Sequence, residues 1–157
     1  QTVTRSLAGT AGEIPGTYWI SFLAKKIASG RESYIKFGDL HFAAVGSYWQ
    51  VKTAGTAYAT LTGAGTQALH LIVARVDAGA VNDTVRVWVD PVLSAGEPSA
   101  ASALVPLTDA AFNFNPVTIQ YGPLGKSTQS GEWDEIRIGR DIASVLRSTV
   151  DVESAAA

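Results

Sequence analysis

The chain has 157 residues, of which 46% are hydrophobic and 17% charged, with a formal net charge of −2. That length amounts to one domain with a core of its own, and the composition excludes a disordered chain. There is no clustered Lys/Arg footprint of a nucleic-acid binder and no apolar run of the roughly 18–20 residues that a membrane span needs. With no cysteine, a disulfide, a Cys-ligated zinc and a thiol nucleophile are excluded as well. The sequence also contains no methionine, which reads as a mature or excised segment. Its abundance of Thr, Ser, Gly and Ala suits an exported bacterial protein.

In chain order, residues 1–16 read as a polar entry loop with at most a short edge strand. Thr17 to Lys25 is a strand rich in aromatic and β-branched residues. Tyr18, Ile20 and Phe22 share one of its faces and Trp19, Ser21, Leu23 and Lys25 the other, so a central position is expected. Ser33 to Phe37 and Leu40 to Val45 are strands joined at Gly38-Asp39. Gly46-Ser47 then leads into the alternating strand Tyr48 to Lys52. Residues 53–67 read as a long loop with one weak strand. Ala68 to Asp77 and Thr84 to Val89 form a hairpin whose second strand is stopped by Pro91. In that second strand Val85, Val87 and Val89 face one way, and Thr84, Arg86, Trp88 and Asp90 the other.

Residues 94–111 read as a surface excursion, and Val117 to Tyr121 as a strand. Gly122 to Gly131 is a loop; its Gly-Lys-Ser-Thr run lacks the spacing and following helix of a phosphate loop. Trp133 to Gly139 alternates again, placing Asp134, Ile136 and Ile138 opposite Trp133, Glu135 and Arg137. Asp141 caps a short helix with Ile142, Val145 and Leu146 on one face. The expected fold is all-β: an antiparallel two-sheet β-sandwich with a short C-terminal helix, as a single domain over residues 1–147 followed by a flexible tail at 148–157.

Three stretches carry a family resemblance. The hairpin Leu69-His70-Leu71-Ile72-Val73-Ala74-Arg75-Val76-Asp77 with Asn82 to Pro91, the closing strand Trp133-Asp134-Glu135-Ile136-Arg137-Ile138-Gly139, and the early strand Thr17-Tyr18-Trp19-Ile20-Ser21-Phe22-Leu23 together resemble the laminin G-like, concanavalin A-like jelly-roll superfamily. The version most similar is found in exported proteins of planctomycete- and verrucomicrobium-type bacteria. The resemblance implies a jelly-roll sandwich, an extracellular or cell-surface location and, in many members, carbohydrate binding beside a larger enzyme or surface protein. It also implies a structural calcium in some members. Fold alone does not fix function.

Trp88 is the foremost binding candidate, because an indole among polar neighbours on a sheet face is a surface on which sugar rings stack. Tyr48 and Trp49 are adjacent and point to opposite faces. Gln50 and Lys52 make Tyr48's face the polar one, and a twist at Gly46-Ser47 would exchange the two. Arg86 and Gln120 are candidates for hydrogen bonds to sugar hydroxyls. Trp133 is read as a core edge. Asp134 and Asp90 are the calcium candidates. No acidic motif places two carboxylates as in sandwich glycosidases. His41 and His70 stand 29 residues apart without Cys partners, which leaves a zinc site or a Ser-His-Asp triad open; His70 reads as a satisfied, half-buried residue. The expected function is a non-catalytic carbohydrate-binding module that docks a polysaccharide. The alternatives are a structural or adhesive module with protein partners and, third, a glycoside hydrolase.

Overall fold

A computed structural model describes residues 2–5, 16–26, 33–53, 58–65, 67–79, 82–92, 96–108, 117–120 and 131–146. The tail at 148–157, the turn at 29–32, the Gly122–Gly131 loop up to residue 130 and most of the entry loop lie outside them. The elements are β1 (Thr2–Arg5), β2 (Gly16–Lys26), β3 (Ser33–Phe37), β4 (Leu40–Val45), β5 (Tyr48–Lys52), β6 (Ala59–Gly65), β7 (His70–Ala78), β8 (Asn82–Val89), β9 (Ala103–Thr108), β10 (Val117–Gln120), β11 (Gly131–Gly139) and α1 (Ile142–Leu146). Among the described residues no helix is long and apolar enough to cross a membrane.

The protein is an all-β sandwich of two antiparallel sheets with one short C-terminal helix. A five-stranded sheet runs in the order β11-β2-β7-β8-β9, and a four-stranded sheet in the order β3-β4-β5-β6. β1 and β10 form a separate two-stranded ribbon, with β10 alongside β3. Period-two alternation builds the core between the two main sheets. β2 contributes Tyr18, Ile20, Phe22 and Ala24, β7 contributes Ile72, Ala74 and Val76, and β8 contributes Val85 and Val87. Facing them are Ile35 and Phe37, Leu40, Phe42 and Ala44, Trp49 and Val51, and Leu61. Phe22 joins the layers: its ring lies edge-on to Phe42 at 5.0 Å and is tilted against Phe37 and Trp133, each at 5.7 Å. Trp49 meets Trp133 edge-to-face at 5.2 Å, a favoured aromatic geometry.

Three elements differ from the sequence reading. First, β6 is a full strand. Second, β9 falls inside the expected surface excursion, at the edge of its sheet. The Pro106 of β9 disguises it in the sequence, yet an edge position tolerates the missing donor. Third, β11 does not alternate strictly. Asp134 opposes Leu23 and Arg137 opposes Ser21, so Glu135 and Ile136 together face one residue of β2. This is a β-bulge, with Glu135 at φ 52. Its extra residue puts Trp133, Ile136 and Ile138 all against the core, whereas strict alternation would have separated Trp133 from the two isoleucines.

The outer face of the five-stranded sheet is itself covered at its centre. α1 lies across it, and Trp19, Val73, Trp88 and Val145 form a second buried cluster bordered by Leu71, Ile142 and Leu146. Asp141 caps α1, its Oδ1 accepting the Ser144 N–H at 2.7 Å. The Ser21 hydroxyl donates to the Val145 carbonyl at 2.6 Å, tying the end of the helix to β2. The chain turns from β11 into α1 at Gly139, where a Cβ would stand 1.9 Å from Ser144 Oγ; only glycine fits that approach.

Candidate functional site

The helix decides the fate of the foremost sequence candidate. Trp88 does point away from the core valines, as alternation requires, but its ring is 2% exposed. It stacks on Trp19 at 5.7 Å with planes 18° apart. The expectation of an open indole is therefore corrected: the face is right, but α1 roofs it. Arg86 lies on the same face and is half-buried in an ion-pair network. Its Nη1 is 3.1 Å from Asp77 Oδ2 and 3.6 Å from Glu97 Oε1. Arg75 Nε donates to Asp77 Oδ1 at 2.8 Å, and Arg75 Nη1 also donates to Glu97. Tyr48 is 59% exposed and Trp49 fully buried, so the polar alternative on β5 is the surface residue. The side chain of Gln120 lies outside the described residues. Its backbone, in β10 opposite Thr2, belongs to a different sheet from Arg86.

The two calcium candidates do not share one site. Asp90 sits at φ 47, with Oδ1 accepting the Leu71 N–H at 2.8 Å and Oδ2 bonded to His70 Nδ1 at 2.6 Å. Asp134 Oδ1 accepts the Glu135 N–H. Asp134 opposes Leu23 and Leu23 opposes Leu71, so the two carboxylates stand about three strand spacings, or ~14 Å, apart. Among the described residues no three His, Asp or Glu side chains gather as a metal site would need. His70 is buried, as expected, with its other ring nitrogen 2.7 Å from the Gly65 carbonyl. It thereby links β6 of one sheet to β7 and β8 of the other.

The outer face of the four-stranded sheet carries a cluster that the sequence reading left out. Two-residue turns, Gly38-Asp39 and Gly46-Ser47, join β3 to β4 and β4 to β5. Gly38 and Gly46 both have φ 58, the sign that tight hairpin turns demand of their first central residue. These turns fix a register in which Lys36 opposes His41 and His41 opposes Lys52. Ile35, Phe37, Phe42, Trp49 and Val51 take the core side, which leaves Tyr34, Lys36, His41, Tyr48, Gln50 and Lys52 on the other. Tyr58, just before β6, completes the row. Its hydroxyl is 3.2 Å from His41 Nδ1, and the His41 ring lies edge-on to Tyr34 at 5.0 Å. Lys52 Nζ sits 4.7 Å from the centre of the Tyr58 ring and Lys36 Nζ 5.5 Å from that of Tyr34, both within cation–π range.

His41 is 8% exposed, and its Nε2 has no hydrogen-bond partner among the described residues. Burial, and then the Lys36 and Lys52 charges, lower its pKa from 6.5 to about 4, so the ring is neutral at pH 7. Burial also raises the pKa of Tyr34. The neutral histidine is bonded to a tyrosine, and the strands β3 to β6 carry no carboxylate of their own. What the face offers is a platform of tyrosines, an amide and two ammonium groups. The signal was present in the sequence as four polar alternations in register, but it emerges only when the two turns are read as tight hairpins.

No protein-family model matches the chain, and no curated protein is found to be related to it.

Proposed function

We propose that the protein is a non-catalytic carbohydrate-binding module of the concanavalin A-like kind, as its sequence resemblance implies. It docks a polysaccharide on the outer face of the four-stranded sheet. The observation that carries this reading is the exposure of Tyr48 (59%) and Tyr58 (36%) on the sheet that α1 leaves uncovered. Tyr48 and Gln50 lie on β5 and Thr60 opposes Gln50 on β6, with Gln50 Nε2 donating to Thr60 Oγ1 at 3.4 Å. A sugar chain laid along β5 stacks on tyrosine rings and exchanges hydroxyl hydrogen bonds with the amide and the threonine. Tyr48 and Lys52, four residues apart on one strand, span about 13 Å. Few stacking rings imply weak single-site affinity, of order micromolar to millimolar, and tethering to a larger exported protein would raise it by avidity.

Affinity electrophoresis through gels that contain polysaccharides tests the reading. Retardation of the wild type that is lost in Tyr48→Ala, with an unchanged urea midpoint, and in Tyr58→Ala, whose lost bond to His41 lowers the midpoint, supports it. Trp88→Ala serves as the contrast, with an expected cost of about 3–5 kcal/mol of stability because its ring is buried. Absence of retardation by every glycan overturns the reading and leaves a structural or adhesive role with protein partners. Release of reducing sugar by the wild type would instead return a hydrolase.

A further inference from the structure

The two outer faces treat their cations differently. On the five-stranded sheet the arginines are neutralised: Arg75 and Arg86 by Asp77 and Glu97, and Arg137 by Glu135. On the four-stranded sheet Lys36 and Lys52 stand on either side of His41, and neither has a carboxylate partner among the described residues. The strands β3, β4, β5 and β6 themselves contain no Asp or Glu; the Asp39 carboxylate stands in the exposed turn between β3 and β4. In a chain of net charge −2, that is a local concentration of positive charge on an otherwise acidic molecule. The ammonium groups are held along the face by the Tyr34 and Tyr58 rings. Each retains donors for an acceptor from outside, since a cation–π contact leaves N–H groups free.

We infer that the glycan taken by this face is an acidic one, a polysaccharide whose rings carry carboxylate or sulfate groups, with Lys36 and Lys52 as its charge-reading residues. The inference rests on the carbohydrate-binding reading above and narrows it. The anionic groups lie over the Lys36–His41–Lys52 row, beside which Tyr58 stands, while the sugar rings run along β5 toward Tyr48. The ammonium groups of these two half-buried lysines add charge-assisted hydrogen bonds to acidic residues of the glycan, and their effect weakens as salt screens them.

The test uses the full chain in gels that contain polygalacturonate, a sulfated galactan or a neutral β-glucan, with a single-stranded oligonucleotide as a fourth arm. The acidic polymers should retard the protein more than the neutral one, and the excess should fade between low salt and about 1 M salt. The double variant K36Q/K52Q should weaken acidic binding roughly three- to tenfold, and more than it weakens any neutral binding. The stronger of the two acidic arms tells carboxylate from sulfate. As a second readout, a saturating acidic oligosaccharide should raise the NMR titration midpoint of His41 above its free value. Equal retardation by neutral and acidic glycans, unaltered in K36Q/K52Q, overturns the inference but leaves the sheet-face reading standing. Retardation by no glycan overturns both, and binding of the oligonucleotide alone overturns both in favour of nucleic acid.

Discussion

At the scale of single residues, the contrast between Trp88 and Tyr48 shows what an alternating strand does and does not decide. The strand sets which side a ring points to; what lies over that side is set elsewhere in the chain. For Trp88 the cover is Val145 and its helical neighbours. For Tyr48, at the end of the exposed stretch Gly46-Ser47-Tyr48, the described residues place none. His41 gives a prediction at this scale. The unfolded chain takes up a proton at this residue near pH 6.5, whereas the folded protein holds it off to about 4. Between those values the unfolded state binds more protons, so stability falls as the pH is lowered through that window and is level, for this group, above it. The charged neighbours of the ring are Lys36 and Lys52, and its polar contact is Tyr58. Urea denaturation at pH 7 and pH 4.5 checks this: the loss of stability at the lower pH should be smaller in His41→Gln, whose amide keeps a bond to Tyr58 without a titrating ring. An equal loss in both proteins would show that other groups carry the acid sensitivity.

At the scale of elements, the short helix matters more than its five residues imply. Its stability comes from docking rather than from helix propensity, because so short a helix does not stand alone in water. Docking depends on Gly139, where an added methyl meets the Ser144 hydroxyl. That hydroxyl is engaged by the Asp141 carbonyl at 2.7 Å, so it cannot turn away without loss. Gly139→Ala should therefore loosen α1 at a cost of about 1–3 kcal/mol. It should also shift tryptophan emission to the red as water reaches Trp19 and Trp88. Unchanged emission would mean that the helix adjusts in place.

Most strands were legible because apolar and polar residues alternate cleanly between glycine-bearing turns, as in Tyr48 to Lys52 and Thr84 to Val89. β9 was not, because Pro106 argues against a strand wherever its edge position is unknown. The bulge in β11 was not, because one extra residue leaves no mark in a short alternating run. The candidate site was half legible: Tyr48 could be chosen over Trp49 from Gln50 and Lys52, but the row from Lys36 to Tyr58 is a product of strand register, which sequence spacing alone does not supply.

At the scale of the whole molecule, the two sheets have divided their work. The five-stranded sheet is buried on its inner face and partly on its outer one, and its arginines Arg75, Arg86 and Arg137 are ion-paired. The four-stranded sheet buries one face and presents a polar aromatic surface on the other. Substitutions should sort accordingly. Phe22→Ala removes the ring that touches Phe37, Phe42 and Trp133 and should cost about 3–5 kcal/mol, read as a lower urea midpoint with both sheets melting together. A comparable truncation at Tyr48 should move the midpoint by no more than about 0.5 kcal/mol. A small effect at Phe22 would contradict the core assigned here.

The pairing of β2 with β11 joins nearly the first described strand to the last. A chain that emerges from the ribosome N-terminus first must carry β2 with one flank unmatched, and the Phe22 pocket short of Trp133, until β11 has been made. Completion of the layer thus joins strands more than a hundred residues apart, and such distant closures are slow. Until then an apolar strand edge stays open to other chains, so the interval before β11 arrives is when this protein has most need of a chaperone.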